Sequence, residues 1–259
     1  MATPDLFIKN PHSILPALES RPQDVLEIVF PRDRSDGTWK EIESLALKNK
    51  VRTKEMQSSS GGNDRDRKKF GVNDRGGPVG GRESAHGALI RAKESISIEQ
   101  SLKGINANSR GVWLALDCLQ DPQNLGAIFR SAAFFGIRGM IMTTERSAPM
   151  TSTVYDIASG GVESIPYVAA INLQRAFEKA KEAGLWILGT SEHSKESLFQ
   201  TKNDRPWLLV VGNEEKGIRR LTEESCDMMC SIPARSKVVT SLNVSVATGI
   251  LLGHLTRPA

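Results

Sequence analysis

Apolar and polar positions along the chain separate into short apolar runs and longer amphipathic segments. Three apolar runs, at 112–116, 185–188 and 208–211, have the length and composition of buried strands. Asp121 and Pro122 follow the first run, and an N-cap residue before a proline is a helix entry. The pattern therefore predicts strand-to-helix junctions, which are the places where α/β proteins put their chemistry.

The first third of the chain has a pattern of its own, which indicates a separate small domain. The predicted elements are helices at 13–18 and 39–47 and strands at 25–30 and 51–56. At 57–83 the composition changes sharply to Ser, Gly, Asn, Asp, Arg and Lys. Such a segment buries too little apolar surface to offset its ordering entropy, so we predict a disordered insertion. Its basic residues either contact a polyanionic partner or belong to a passive loop: Arg65, Arg67, Lys68 and Lys69.

Composition and charge narrow the classes of partner. The chain has 259 residues, a formal net charge of +4 and a pI near 9.0, which favours a polyanionic partner. Its three cysteines and four histidines lack the spacing of disulfide or metal sites, so we expect a reducing compartment and no metal. No apolar run approaches the ~20 residues that cross a bilayer, and no signal or transit peptide is evident. We expect a cytoplasmic protein, with the mitochondrial matrix as the alternative.

Two polar residues mark the helix that begins at 122. Asn124 lies at its top and Arg130 near its middle. Phe129 and Ala132 flank the arginine, so this part of the helix is not simply solvated. The alternative interpretation of Arg130 is a surface arginine on an amphipathic helix, which is the usual position of an isolated arginine.

A second candidate site follows the strand at 208–211. The sequence Gly-Asn-Glu-Glu-Lys-Gly predicts a tight loop, in which Gly212 and Gly217 let the backbone approach a ligand closely. Glu214 is the first carboxylate at the mouth of this strand. The glycine spacing fits neither the phosphate-binding P-loop nor the dinucleotide fingerprint, so an ordinary Rossmann cofactor site is disfavoured.

Polar residues alternate with apolar ones between 240 and 249. Ser241, Asn243 and Ser245 would share one face of an extended segment. Three polar groups in a buried run need partners, because each unpaired one costs about 1–3 kcal/mol. The alternative is a helix start with Ser241 or Asn243 as the N-cap, since a helix-like apolar run follows at 246–255.

The three motifs, in this order, resemble the SpoU-type (TrmH-like) RNA ribose 2'-O-methyltransferases of the SPOUT superfamily. The resemblance covers residues 109–256. It implies an α/β SPOUT fold with a deep C-terminal trefoil knot, S-adenosylmethionine bound in the knot, and a homodimer. It places five residues at catalytic positions: Asn124, Arg130, Glu214, Ser241 and Asn243. It places four residues at cofactor-binding positions: Thr190, Gly212, Ile232 and Leu242.

The N-terminal part is similar to the small L30e-like α/β substrate-binding domain found in the rRNA-modifying branch of this family. The similarity rests on the segment 7–18 and on the pair His86-Gly87. The expected organisation is an RNA-binding domain at 1–98, a linker at 99–108 and a catalytic domain at 109–259.

The resemblance also suggests a target. The run 219–227 and the stretch after Thr240 are similar to enzymes that methylate a guanosine in large-subunit rRNA, in bacteria and mitochondria. One alternative is a tRNA ribose 2'-O-methyltransferase, which would need no N-terminal domain. Another is a catalytically silent RNA-binding or ribosome-assembly factor on the same fold, although such a protein would have no reason to keep all five polar residues.

The chemistry of ribose methylation suggests a role for each catalytic candidate. The site must fix the line of approach, accept the hydroxyl proton and stabilise the developing oxyanion. Asn124, Ser241 and Asn243 suit orientation. Arg130 suits oxyanion stabilisation rather than proton abstraction, because a guanidinium loses its proton only at a very high cost. Glu214 would hold Arg130 or order the cofactor loop, and the proton would pass to a phosphate oxygen or to water.

Overall fold

The computed structural model describes residues 3–33, 35–55, 86–106 and 109–257. Contacts between Cα atoms divide the chain into one unit at Pro4–Arg91 and another built mainly from Ala92 onward. The sequence put this boundary after residue 98. The predicted insertion at 57–83 lies outside the described residues.

The first unit is a four-stranded sheet with two helices. Its strands have the order β1-β4-β2-β3, in which β3 runs parallel to β2 while β4 is antiparallel to both β1 and β2. Apolar side chains of strands and helices form its core, including the fully buried Ile14, Ile28 and Ile90. The element bounds are β1 Asp5–Ile8, α1 Pro11–Ser20, β2 Val25–Phe30, α2 Gly37–Lys48, β3 Arg52–Glu55 and β4 Gly87–Arg91.

The second unit is built on a six-stranded sheet in which every pairing is parallel. The strand order is β10-β8-β9-β5-β6-β7, so β9 and β5 lie at the centre. All residues of β5 and β9 are buried, as the uninterrupted apolar runs predicted. The strands are β5 Val112–Leu116, β6 Met140–Thr143, β7 Tyr167–Ala170, β8 Trp186–Thr190, β9 Trp207–Val211 and β10 Met228–Cys230.

Helices connect these strands, which confirms the predicted α/β class. One buried cluster joins Trp113, Leu208 and Val210 of the sheet to Phe177 of α7. Burial of each such side chain contributes about 1.5–3 kcal/mol to the free energy of folding. This packing keeps the strand ends that carry the site in place. The helices are α3 Ile98–Ser101, α4 Pro122–Phe134, α5 Ser152–Ala158, α6 Gly161–Ser164, α7 Leu173–Glu182, α8 Arg220–Glu224 and α9 Val244–Leu255. In the described ranges no helix is long and apolar enough to cross a membrane.

Candidate active site

The carboxyl ends of three neighbouring strands bring the sequence motifs together. Because β8, β9 and β5 are adjacent and parallel, the loops that follow them meet at one edge of the sheet. Two adjoining cavities lie at this edge, with volumes of about 670 and 600 Å³. Several residues line both cavities, including Glu214, Ser241 and Leu242.

The larger cavity contains all four of the cofactor-binding candidates. Thr190, Gly212, Ile232 and Leu242 line it, although they come from four separate segments of the chain. Thr190 ends β8, and its Oγ1 donates a hydrogen bond to the Val210 carbonyl at 2.9 Å. We call this space the cofactor cavity.

The loop at 212–218, called the glycine loop here, folds back tightly on itself. The backbone N–H and carbonyl of Asn213 pair with those of Gly217 at 2.9 and 3.0 Å. Gly217 has a φ of +65°, in the left-handed region that favours glycine. An added Cβ at Gly212 would lie 2.1 Å from the carbonyl carbon of Gly217. The structure therefore requires glycine at 212 so that the loop can close.

Replacing Gly212 with alanine is expected to open the glycine loop and weaken cofactor binding about tenfold or more, because backbone atoms rather than a flexible side chain must move. Calorimetry with S-adenosylmethionine measures this effect. Gly249→Ala is the matched control, since a Cβ there meets nothing within 4 Å. Equal affinities for the two variants would contradict the close approach at Gly212.

Glu214 is the centre of a hydrogen-bond cluster that joins the glycine loop to the start of α4. Its Oε1 accepts from the Asp121 N–H at 3.1 Å and from Nδ2 of Asn124 at 3.2 Å. Its Oε2 accepts from the Gln120 N–H at 3.3 Å and from Nδ2 of Asn213 at 3.1 Å. The carboxylate thus satisfies two N–H groups at the entry to α4, where negative charge is also favoured by the helix dipole.

These hydrogen bonds set the ionisation of the carboxyl. Burial by itself raises the pKa of Glu214, but hydrogen bonds from its own backbone N–H, from Asp121 and Gln120, and from the Asn124 amide outweigh it. The pKa of Glu214 therefore lies below its ordinary value. The group is ionised at neutral pH and is an orienting acceptor rather than a general base.

The two asparagines continue the cluster with a fixed direction. Because the Glu214 carboxylate only accepts, Asn124 must turn its Nδ2 toward it and its Oδ1 away. That Oδ1 accepts from Nδ2 of Asn243 at 3.0 Å. Oδ1 of Asn243 in turn accepts from the N–H groups of Ser245 and Val246 at the start of α9. Each amide Nδ2 has a second N–H that meets no acceptor among the described residues, and both residues line the smaller cavity.

The region after Thr240 corrects one sequence expectation. Helix α9 begins at Val244 with Asn243 as its N-cap, so the helix-start interpretation is confirmed. The prediction that Ser245 shares one face of an extended segment with Ser241 and Asn243 is wrong, because Ser245 lies in the first turn of α9. The hydroxyl of Ser245 donates to Oδ1 of Asn243 at 2.6 Å, and Ser241 lines both cavities. Asn243 therefore both caps α9 and lines the site.

Arg130 is the one catalytic candidate that the structure does not bring to the cavities. It is exposed on α4 and is not among the described residues that line either cavity. None of the hydrogen bonds accepted by Glu214 comes from Arg130. The expectation that Glu214 holds Arg130 is therefore wrong within this chain, and the hydrogen bonds fit its other predicted role, ordering of the loop.

Three residues of the site were missed by the sequence interpretation. Asn213 bonds Glu214 and the Cys118 carbonyl, while the buried Asp117 accepts two hydrogen bonds from Arg219. A signal was present, because Asp117 is an acidic residue directly after a buried strand. Over the described ranges, no group of three or more His, Cys, Asp or Glu side chains could hold a metal ion.

A parallel sheet with ligand-sized cavities at its carboxyl edge defines the class of α/β proteins that bind nucleotide-like ligands at this place. Within that class the chain belongs to the SpoU rRNA Methylase family, which matches residues 111–253. The match covers all three motifs and both cavities.

Individual relatives agree with this membership. The 23S rRNA (guanosine-2'-O-)-methyltransferase RlmB of Nitrosomonas europaea is 34% identical over 246 residues, which are 95% of this chain and 89% of that protein. The putative TrmH family tRNA/rRNA methyltransferase YacO of Bacillus subtilis is 36% identical over 180 residues, 69% of this chain and 72% of that one.

A solved structure gives the same fold. The SpoU methyltransferase AviRb from Streptomyces viridochromogenes, in complex with the cofactor AdoMet, aligns with a TM-score of 0.70 at 21% identity. The alignment covers 97% of this chain and 89% of that chain. The predicted SpoU-type α/β fold is confirmed, and the trefoil knot stays a prediction.

Proposed function

We propose that this protein transfers a methyl group from S-adenosylmethionine to the ribose 2'-hydroxyl of a guanosine in large-subunit rRNA. One observation carries the proposal. The four cofactor candidates line a single cavity, and this cavity adjoins the cluster formed by Asn124, Glu214 and Asn243. The guanosine and the rRNA follow the activity for which the Nitrosomonas relative is named.

The cofactor cavity fits S-adenosylmethionine in size and chemistry. Its volume of about 670 Å³ lies within the range of small-molecule sites. The apolar side chains of Val211, Ile218 and Leu251 line it beside the backbone of the glycine loop, which suits a nucleoside that needs both packing and hydrogen bonds. When bound, this cofactor supplies a methyl group on a cationic sulfonium.

The residues of the smaller cavity then act on the ribose. The unused N–H groups of Asn124 and Asn243 can donate to the 2'-oxygen as it loses its proton, and Ser241 lies beside them. Glu214 fixes the direction of both amides through Asn124. Since Glu214 is an ionised acceptor with a lowered pKa, the proton passes to a phosphate oxygen of the RNA or to water.

We also propose a homodimer that uses the exposed surface of α4 and α9. Phe134, Val246 and Ile250 on these two contacting helices are 83%, 52% and 37% exposed, and a second copy of the chain would cover these apolar side chains. Light scattering at micromolar concentration is expected to give twice the mass of the chain. Val246→Glu should shift the protein toward monomer, whereas Gln174→Glu on α7, which adds the same charge, should not. A monomer in the unmodified protein would contradict the proposed dimer.

The first unit supports the substrate assignment. We propose that residues 1–98 form an L30e-like RNA-binding domain, 99–108 a linker and 109–259 the catalytic domain. The mixed sheet with α1 and α2 supports the first of these assignments. We propose that the protein acts where large-subunit rRNA is found. This is the bacterial cytoplasm or, for an organellar enzyme, the mitochondrial matrix.

Labelled S-adenosylmethionine tests the function directly. The protein is incubated separately with unmodified rRNA and tRNA, and the labelled nucleotide is mapped. Label on a guanosine ribose of large-subunit rRNA is the expected result. Label on tRNA alone would favour the tRNA ribose 2'-O-methyltransferase, and the name of the Bacillus relative includes a tRNA methyltransferase. Cofactor binding without label in either RNA would favour the silent assembly factor.

A further inference from the structure

The carboxyl end of β5 holds both ends of the glycine loop. Asp117 is fully buried directly after this strand, and its carboxylate accepts two hydrogen bonds from Arg219. One comes from the backbone N–H at 3.0 Å, and the other from Nε at 2.7 Å. The neighbouring Cys118 carbonyl accepts from Nδ2 of Asn213 at 3.0 Å. Residues 117 and 118 thus bind the loop where it starts and where it ends.

We propose that Asp117 and Arg219 form a positioning pair that sets the glycine loop for cofactor binding and methyl transfer, an inference that rests on the proposed function. Neither residue is among the described residues that line the cavities, so the pair acts through the loop. Between its fixed ends the loop lines the cofactor cavity and presents Glu214 to Asn124.

The geometry of the pair explains why these two residue types are needed. The backbone and side-chain N–H groups of one residue reach the two oxygens of one carboxylate, which fixes the orientation of Arg219 as well as its distance. Lysine would keep the charge but lose the planar donor. Water cannot replace Arg219 as the partner of this carboxylate, because the side chain of Asp117 is 0% exposed.

The two sides of the pair differ in exposure, and this predicts an order of effects. The side chain of Arg219 is 47% exposed, so water can solvate the guanidinium when the carboxylate is removed. Removal of the guanidinium instead leaves a buried carboxylate with one backbone donor. Arg219→Ala should therefore disturb the loop more than Asp117→Asn, and Arg219→Lys should lie between Arg219→Ala and the unmodified protein.

Asp227 offers a matched control elsewhere on the same sheet. Its carboxylate also accepts from a backbone N–H, that of Ile187 at 2.8 Å, and pairs with a cation, Lys181 at 2.7 Å. Ile187 lies near the amino end of β8, at the sheet edge opposite the cavities. Asp227→Asn thus removes a carboxylate with the same two kinds of partner, although its side chain is 26% exposed, without touching the glycine loop.

Three measurements on these variants of the full chain test the proposal. Arg219→Ala should weaken S-adenosylmethionine binding about tenfold in calorimetry and lower kcat about 10–100-fold, with KM for rRNA within about threefold, because a misplaced loop impairs alignment rather than RNA contact. Backbone amides at 213–219 should exchange with deuterium about tenfold faster in the cofactor-free protein. Asp227→Asn should leave all of these values unchanged.

Two outcomes would overturn the pair. In the first, Arg219→Ala matches Asp227→Asn in cofactor affinity, kcat and amide exchange. In the second, amide exchange rises equally over the whole sheet, which would mean that the substitution lowers the stability of the whole unit and does not act on the loop. Should Arg219→Ala fail to fold, Arg219→Lys decides the same comparison in a folded protein. Absence of methyl transfer by the unmodified protein would refute the proposed function, while cofactor affinity and loop exchange would still decide the role of the pair.

Discussion

Asn124→Asp is expected to lower methyl transfer about 10²–10³-fold, the range for loss of one preorganised donor to a developing oxyanion. The substitution replaces the N–H that faces Oε1 of Glu214 at 3.2 Å with a carboxylate oxygen. Two like charges at this distance repel, so the amide direction that Glu214 imposes on Asn124 and Asn243 is lost. The donor that faces the smaller cavity is lost with it.

Single-turnover methylation of rRNA measures the effect, and two further variants make it specific. Gln123→Glu adds the same charge one residue earlier on the exposed side of α4 and should stay within about threefold of normal activity. Asn124→Asp combined with Glu214→Gln should recover part of the lost rate, because the repulsion is removed. An Asn124→Asp enzyme with normal turnover would exclude the amide cluster from the reaction.

The sequence predicted the segments of this site much better than the pairings between them. Apolar runs locate β5 and β9, because strands buried on both faces of a parallel sheet consist almost entirely of apolar residues. The glycines at 212 and 217 predict a tight loop. The contacts that make the site join residues far apart in the chain, such as Glu214 with Asn124 and Arg219 with Asp117. They depend on β9 lying beside β5, and periodicity within each strand does not encode the strand order.

The helix geometry around Asn124 is different, because there the sequence alone separates two of the catalytic candidates. Arg130 follows Asn124 by six positions, and at 3.6 residues per turn the two side chains point about 120° apart around α4. Asn124 faces inward and Arg130 faces solvent, as the structure shows. Family motifs identify residues that belong to one reaction, but they do not state that one copy of the chain brings them together.

Arg130→Ala is expected to lower methyl transfer about 10²–10³-fold while S-adenosylmethionine affinity stays within a few-fold. The guanidinium is exposed and, within the part of the chain described, lines neither cavity, so its removal should leave the cofactor cavity intact. The described residues give Arg130 no place at either cavity, so we expect its partner in the reaction to be the RNA itself or a second copy of the chain. Near-normal turnover of Arg130→Ala would remove this residue from the mechanism.

Mixing of two inactive variants separates these partners. Arg130 and the exposed Phe134 both lie on α4, the helix that we propose in the dimer contact. If Arg130 of one protomer serves the site of the other, a mixture of Arg130→Ala and Asn124→Asp chains contains hybrid dimers with one complete site. After random exchange of subunits, about a quarter of normal activity should return. No recovery in verified hybrid dimers would place Arg130 against the RNA bound by its own chain.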